Sequence, residues 1–241
     1  MPFTTTDDDQ LYYETSGDSG PTIVFIPGYM GIAEIWRPVL SRLGGQYRYV
    51  IYDTSYGRSS KRKDAASYSV ERHALDINKP AILVAHSMGC NIASAFCLSN
   101  GTQVGGMVQV GAHYHGKQLA ETGYTVDVFC GKAHIPSEAM GFYMRLGLSK
   151  DVAIEATKWP AYTRRHNAHA LLSFELRDRA QKISMPTLII QGGNDEIAIK
   201  KLEVLLNCLL RVIPNVNHFP PTEAPDDAAR VIDEFVKSLP E

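Results

Sequence analysis

The sequence predicts an α/β fold, a mostly parallel twisted sheet with helices on both faces, from two observations. Short runs rich in Ile and Val, each closed by a small, polar or Pro/Gly residue, recur along the chain, and stretches of helical periodicity fill the gaps between them. Strands covered on both faces carry such continuous apolar runs, and alternation with helices is how parallel neighbours are joined. A third observation, the loss of strand signal from Ala112 to Lys182, predicts a helical insertion late in the chain, because such a stretch is too long for a simple connection.

Taken in order, Thr4-Thr5-Thr6 and Leu11–Thr15 around Asp7-Asp8-Asp9-Gln10 predict an exposed antiparallel hairpin at the sheet edge. Buried strands are expected at Thr22–Ile26, Tyr49–Tyr52, Ala81–Ala85, Met107–Val110, Thr187–Ile190 and Leu210–Ile213. A short helix from Ser69 to Asn78 places Val70, Ala74 and Ile77 on one side. Between Ser87 and Asn100, Ile92, Ala93, Phe96 and Cys97 form one apolar stripe, and Gly101 is a left-handed terminator. The last helix starts at Asp226 and Asp227, where the macrodipole favours negative charge, buries Val231, Ile232, Phe235, Val236 and Leu239, and carries Lys237 near its end. Residues 1–111 and 183–241 therefore form the core, and 112–182 a helical lid of three or so helices broken by Pro136, Gly147 and Pro160.

With 24 Lys and Arg against 26 Asp and Glu, the formal charge is −2, which leaves no electrostatic footprint for nucleic acid or anionic lipid. The densest basic cluster, Lys61-Arg62-Lys63, is a solvated loop. A composition 44% hydrophobic and 21% charged excludes a disordered chain. The N-terminal residues show neither a basic n-region nor an apolar h-region, and no apolar run reaches the length of a membrane span. Cys90, Cys97, Cys130 and Cys208 lack metal or disulfide-framework spacing, so reduced thiols and a cytoplasmic location are expected. No metal, membrane or nucleic-acid partner is expected, and the assembly is a monomer or homodimer.

The chemistry concentrates at Ala85-His86-Ser87-Met88-Gly89, between an apolar strand and a helix. A serine on a tight strand-to-helix turn holds strained backbone angles, and small residues two positions to either side let strand and helix approach. Its hydroxyl then stands at the carboxyl end of the sheet, beside a helix N-terminus. A serine needs a positioned base, usually a histidine oriented by a carboxylate. Asp195 follows the strand ending at Ile190, and His218 follows the strand ending at Ile213. The carboxyl ends of parallel strands share one crevice, so all three converge. Convergence makes a plain helix N-cap an inferior reading of Ser87, while Glu196 is the alternative to Asp195. His86 is expected to hydrogen-bond beneath the loop. His113, just past a strand end, is expected to line the pocket. Phe142, Tyr143, Met144 and Trp159 either form an acyl or ring pocket or glue lid to core. Cys90 is expected to be an inert core thiol.

These motifs, in the chain order Ser, Asp, His, resemble the α/β-hydrolase superfamily, in its lidded branch of small esterases, lactonases and carbon–carbon bond hydrolases. The likeness runs from about Thr22 to Leu239. Ile26-Pro27-Gly28-Tyr29-Met30-Gly31 resembles the family's oxyanion loop, which implies that Gly28 permits close backbone approach and that the N–H groups of Tyr29 and Met88 are the two oxyanion donors. Pro27 stands where many members carry histidine, which alters the support of that loop. Tyr52–Ser59 resembles a structural turn after the fourth strand, a residue short, and the region from Asp53 to Pro80 is compact for the family.

The resemblance implies a cofactor-independent serine hydrolase of small to medium carboxylic esters or lactones. Ser87, His218 and Asp195 would act as nucleophile, base and orienting carboxylate. Carbon–carbon bond hydrolysis, acyl transfer or perhydrolysis with the same residues stays open, as does a hydrolase-like small-molecule receptor.

Overall fold

In the computed structural model, residues 3–6, 9–54, 59, 69–74, 81–130, 135–196 and 208–240 are described. Their elements are β1 (Phe3–Thr6), β2 (Asp9–Ser16), β3 (Thr22–Ile26), α1 (Arg37–Leu43), β4 (Arg48–Tyr52), α2 (Val70–Ala74), β5 (Ala81–His86), α3 (Met88–Asn100) and β6 (Val104–Val110). Next come α4 (Gly116–Glu121), α5 (Val126–Cys130), α6 (Pro136–Arg145), α7 (Lys150–Thr157) and α8 (Ala161–Ser173). The chain finishes with β7 (Thr187–Gly192), β8 (Cys208–Ile213), α9 (Pro220–Glu223) and α10 (Pro225–Ser238).

The strands form one sheet in the order β1-β2-β4-β3-β5-β6-β7-β8, antiparallel at β1/β2 and β2/β4 and parallel from β4 onward. The predicted α/β class and the edge hairpin are both present. All six residues of β5 and of β7 are buried, the polar His86, Thr187 and Gln191 together with the apolar runs Ala81–Ala85 and Leu188–Ile190. β8 departs from expectation. It pairs with β7 and, among the described residues, is the last strand of the sheet, and Leu209, Leu210 and Val212 are exposed.

α3 is buried on every face over its first ten residues and fills the space beside the sheet. Gly101 is right-handed, with φ −56°, and leads into a 3-10 turn (Gly101–Gln103), so the helix tightens at its end and the expected left-handed terminator is absent. α10 buries the predicted Val231, Ile232, Phe235 and Val236 and packs on α1, where Arg42 also pairs with Asp226. Leu239 is partly buried beyond its end. Of the predicted 69–78 helix, Val70–Ala74 is present and Ser69 precedes it; residues 75–78, with Lys61-Arg62-Lys63 and most of the compact 53–80 stretch, lie outside the described residues.

Among the described residues, five α-helices stand between β6 and β7 in place of about three. Pro136 opens α6, Gly147 at φ +102° separates α6 from α7, and Pro160 caps α8, each where the sequence placed a break. The two additional helices, α4 and α5, span six and five residues, too short for a hydrophobic period to show. Among the described residues no helix is long and apolar enough to cross a membrane.

β3 and β5 are adjacent, with β4 built outward from one and β6 from the other, so the crevice at their carboxyl ends is the topological switch point. The loops that leave β3, β5, β6, β7 and β8 all open there.

Backbone crowding separates two glycines of similar φ. A Cβ at Gly17 (φ +79°) would lie 1.9 Å from the Tyr47 carbonyl oxygen, whereas one at Gly44 (φ +71°) meets nothing within 4 Å. Gly44→Ala is expected to lower stability by roughly 1–3 kcal/mol, the strain of an alanine at φ +71° and ψ −167°, where glycine alone sits readily, and Gly17→Ala by more than that once the clash is added. Urea unfolding of the two variants checks the order.

Candidate active site

β5 runs straight into Ser87, whose backbone sits at φ +51° and ψ −120°, a conformation rare for a residue with a side chain. Neighbouring elements hold it there. The Ser87 N–H donates to Val110 O of β6 at 2.8 Å, and the Ser87 carbonyl accepts from Cys90 N–H at 2.8 Å. A Cβ on Gly89 would come within 2.7 Å of the carbonyl oxygens of Ile26 and Pro27, and a Cβ on Gly28 within 2.8 Å of the His86 ring and 3.1 Å of Ser87 Cβ. The two glycines let strand, helix and the loop after β3 meet at van der Waals distance.

His218 Nε2 lies 2.9 Å from Ser87 Oγ, and His218 Nδ1 lies 2.9 Å from Asp195 Oδ2. A carboxylate only accepts, so Nδ1 carries the proton and the lone pair of Nε2 faces the serine hydroxyl. The Asp195 and His218 side chains are almost wholly buried, which excludes competing water. Asp195 also accepts from Gln191 Nε2 at 2.5 Å. Its loop is set by Gly193 N–H to Ile213 O (2.8 Å) and Asn194 N–H to Val216 O (2.9 Å).

The His218 loop is fixed from three sides. Its own N–H donates to Leu146 O, just past α6, at 3.2 Å, and its carbonyl accepts from His86 Nε2 at 2.8 Å. Glu223 accepts from the N–H groups of Asn217 (3.0 Å) and Phe219 (2.9 Å) and from Asn217 Nδ2 (2.7 Å). His86 thus does hydrogen-bond beneath the loop, and its ring stacks on Phe219 at 4.8 Å between centroids.

The loop after β3 is similarly pinned. Gly28 O accepts from Gly31 N–H at 2.8 Å, and buried Asp53 accepts from Ala33 N–H at 2.9 Å. This is the structural part that the sequence assigned to the turn after β4; residues 55–58 of that turn lie outside the described set.

A narrow cavity of about 20 Å³ opens on Ser87 and His218. Tyr29, His113, Phe142 and Tyr143 line it, as do Met30, Leu119, Phe129, Leu146 and Leu171. Met88 is buried directly after the serine. Trp159 is buried among the core residues but lines neither this cavity nor the next, so of the two roles left open for it the structure supports packing. A second, more polar cavity of about 450 Å³ lies beyond Phe142, Leu146 and His218, against Arg145, Asn194, Glu196 and Asn217. Asp195 and Glu196 both border this outer space, and Asp195 is the one of the two hydrogen-bonded to the histidine.

Sequence reasoning missed Glu223 and Gln191 as supports and most of the apolar lining. Gln191 carried one signal, a polar residue ending a buried apolar strand; Leu119, Phe129 and Leu171 carried none. Burial pushes the Cys90 thiol up, in keeping with an inert thiol.

Burial, reinforced by the nearby His218, lowers both His86 and His113 to about 3. Their ordinary value is about 6.5, so between pH 6.5 and 3 the unfolded chain binds more protons and stability falls as pH falls. His113→Gln is expected to flatten this acid slope by up to ~1.4 kcal/mol per pH unit. Urea midpoints between pH 5 and 7 measure it; an unchanged slope would refute a buried neutral His113.

The sequence model of the alpha/beta hydrolase family matches residues 23–231. The chain is 25% identical over 257 residues to 3-oxoadipate enol-lactonase 1 of Acinetobacter baylyi, covering 92% of this chain and 91% of that protein. Among solved structures it is similar to an esterase from Exiguobacterium antarcticum (TM-score 0.85, 23% identity, 98% of this chain and 99% of that one). It is also similar to the enol-lactonase from Burkholderia xenovorans LB400 (TM-score 0.79, 18% identity, 98% of this chain and 100% of that one).

Proposed function

The chain belongs to the alpha/beta hydrolase family, and we propose that it is a serine hydrolase that cleaves small carboxylic esters or lactones without a cofactor. The observation that carries this reading is the hydrogen-bonded series Ser87, His218, Asp195, with both links at 2.9 Å and the serine on a left-handed turn.

In this mechanism Ser87 Oγ attacks the substrate carbonyl carbon while His218 Nε2 takes the hydroxyl proton. Asp195 holds the ring in the Nδ1–H tautomer and stabilises the imidazolium that forms. The carbonyl oxygen becomes an oxyanion, which receives the N–H groups of Tyr29 and Met88. As the tetrahedral species collapses, the bond to the leaving oxygen breaks and His218 returns the proton to it. Water, deprotonated by His218, then attacks the acyl-enzyme carbonyl, and Ser87 leaves with the proton as the acid is released.

Residues 112–182 form a helical lid over this site in the proposal, and Phe142, Tyr143 and His113 contact substrate. The confined space at Ser87 supports a short acyl portion, since a cavity of about 20 Å³ admits little beyond one water-sized group without movement. The lactone alternative draws support from the enol-lactonase relatives.

Exposure to a fluorophosphonate tests the reading. The expected result is a single adduct on Ser87 by mass spectrometry, with Ser87→Ala unlabelled, unchanged in melting temperature and slower by roughly 10⁴-fold or more on a nitrophenyl ester. A folded wild-type protein that takes no label would overturn it. A chain-length series of nitrophenyl esters together with a lactone panel then assigns the substrate.

A further inference from the structure

Pro27 leaves open what supports the loop that follows β3, and the answer lies in α8. Tyr29 is gripped at both ends by that helix. Its hydroxyl donates to Arg164 O at 2.9 Å, and its backbone carbonyl accepts from Asn167 Nδ2 at 2.9 Å, both bonds fully buried. Arg164 and Asn167 are three residues apart and so share one helix face.

The amide has a defined polarity. Tyr29 O can only accept, so the Asn167 NH₂ group must face it, and Asn167 Oδ1 is left to accept from His73 Nε2 on α2, 3.1 Å away. A reversed amide would set oxygen against oxygen at Tyr29.

These contacts act on the peptide unit that matters for the reaction. The Tyr29 N–H belongs to the same planar trans unit as Gly28 O, and that oxygen is fixed by Gly31 N–H at 2.8 Å. The next unit along the chain carries Tyr29 O, fixed by Asn167. Clamping both units leaves the Tyr29 backbone no rotation about either flanking bond, so the N–H has one direction in which to point.

We infer that Asn167, oriented by His73, is a positioning residue that aims the Tyr29 N–H at the developing oxyanion, and that α8 is thereby a fixed support of the oxyanion loop. This rests on the proposed role of Tyr29. On this view at least one helix of the 112–182 insertion stays on the core throughout the cycle, and substrate passage is left to its other segments.

The test compares Asn167→Leu, His73→Leu and His73→Gln with the wild type, using nitrophenyl acetate, a trifluoromethyl ketone and amide hydrogen exchange. The ketone adds Ser87 Oγ to its carbonyl carbon, His218 takes the hydroxyl proton, and the resulting oxyanion needs the same donors as the reaction. In Asn167→Leu, kcat and ketone affinity are expected to fall together by about 10- to 100-fold with KM within ~3-fold, as for a misdirected oxyanion donor. The amides of residues 28–31 should exchange faster. His73→Leu should show the same pattern, and His73→Gln, which keeps a donor, a smaller loss; these variants carry the test if Asn167→Leu does not fold.

Folded variants with kcat, ketone affinity and loop exchange all within ~2-fold of wild type overturn the inference, as does a loss confined to KM. Failure of the hydrolase reading is recognised separately, by a wild type that takes no fluorophosphonate; loop exchange alone then decides whether Asn167 clamps the loop.

Discussion

The organisation of this molecule depends on one strained residue. Ser87 holds a left-handed backbone that an isolated chain avoids at a cost of about 1–3 kcal/mol, and the surrounding architecture is what makes it persist. β5 must lie between β3 and β6, so that Val110 accepts the Ser87 N–H and the carbonyls of Ile26 and Pro27 lie against Gly89. A side chain at Gly28 or Gly89 would push the β3 loop away from the serine. Sheet order, the two glycines and the buried start of α3 are therefore parts of a single constraint.

From that fixed point the site is built inward from loops that are themselves tied down. The His218 loop is held by a carboxylate from α9, by a carbonyl just past α6 and by the ring that precedes the serine. Gly147 belongs to the same junction. At φ +102°, with Glu223 Oε1 2.1 Å from where a Cβ would stand, it lets the turn after α6 close over the loop. Burial keeps His86 and His113 neutral beside His218, so no fixed positive charge competes with an imidazolium formed there.

Much of this was legible in the sequence, for a physical reason. Strand runs such as Ala81–Ala85 and Thr187–Ile190 declare themselves because burial on both faces admits only apolar residues. Ser87, Asp195 and His218 are legible because each follows such a run, and parallel strands deliver their ends to one crevice. β8 shows the limit: Leu209, Leu210 and Val212 have the composition of a buried strand, but strand order, which depends on long-range pairing, makes β8 the last strand among the described residues, and they are exposed there. The helices between β6 and β7 were harder still. α4 and α5 are shorter than two helical turns, and Asn167 is an ordinary polar residue in a helix until folding sets it against Tyr29. Pairings made across more than a hundred residues leave no local mark.

The two backbone bonds of His218, its N–H to Leu146 and its carbonyl to His86, have a thermodynamic consequence. Fixing a residue's backbone and ring entails an entropic loss of about 1–2 kcal/mol or more, incurred whenever the ordering takes place. Here it takes place during folding, drawn from the free energy released when the core is buried. An incoming ester or lactone meets an imidazole already oriented, so its own binding energy need not be diverted to arranging the protein and can be directed to the change in charge and geometry at the carbonyl carbon.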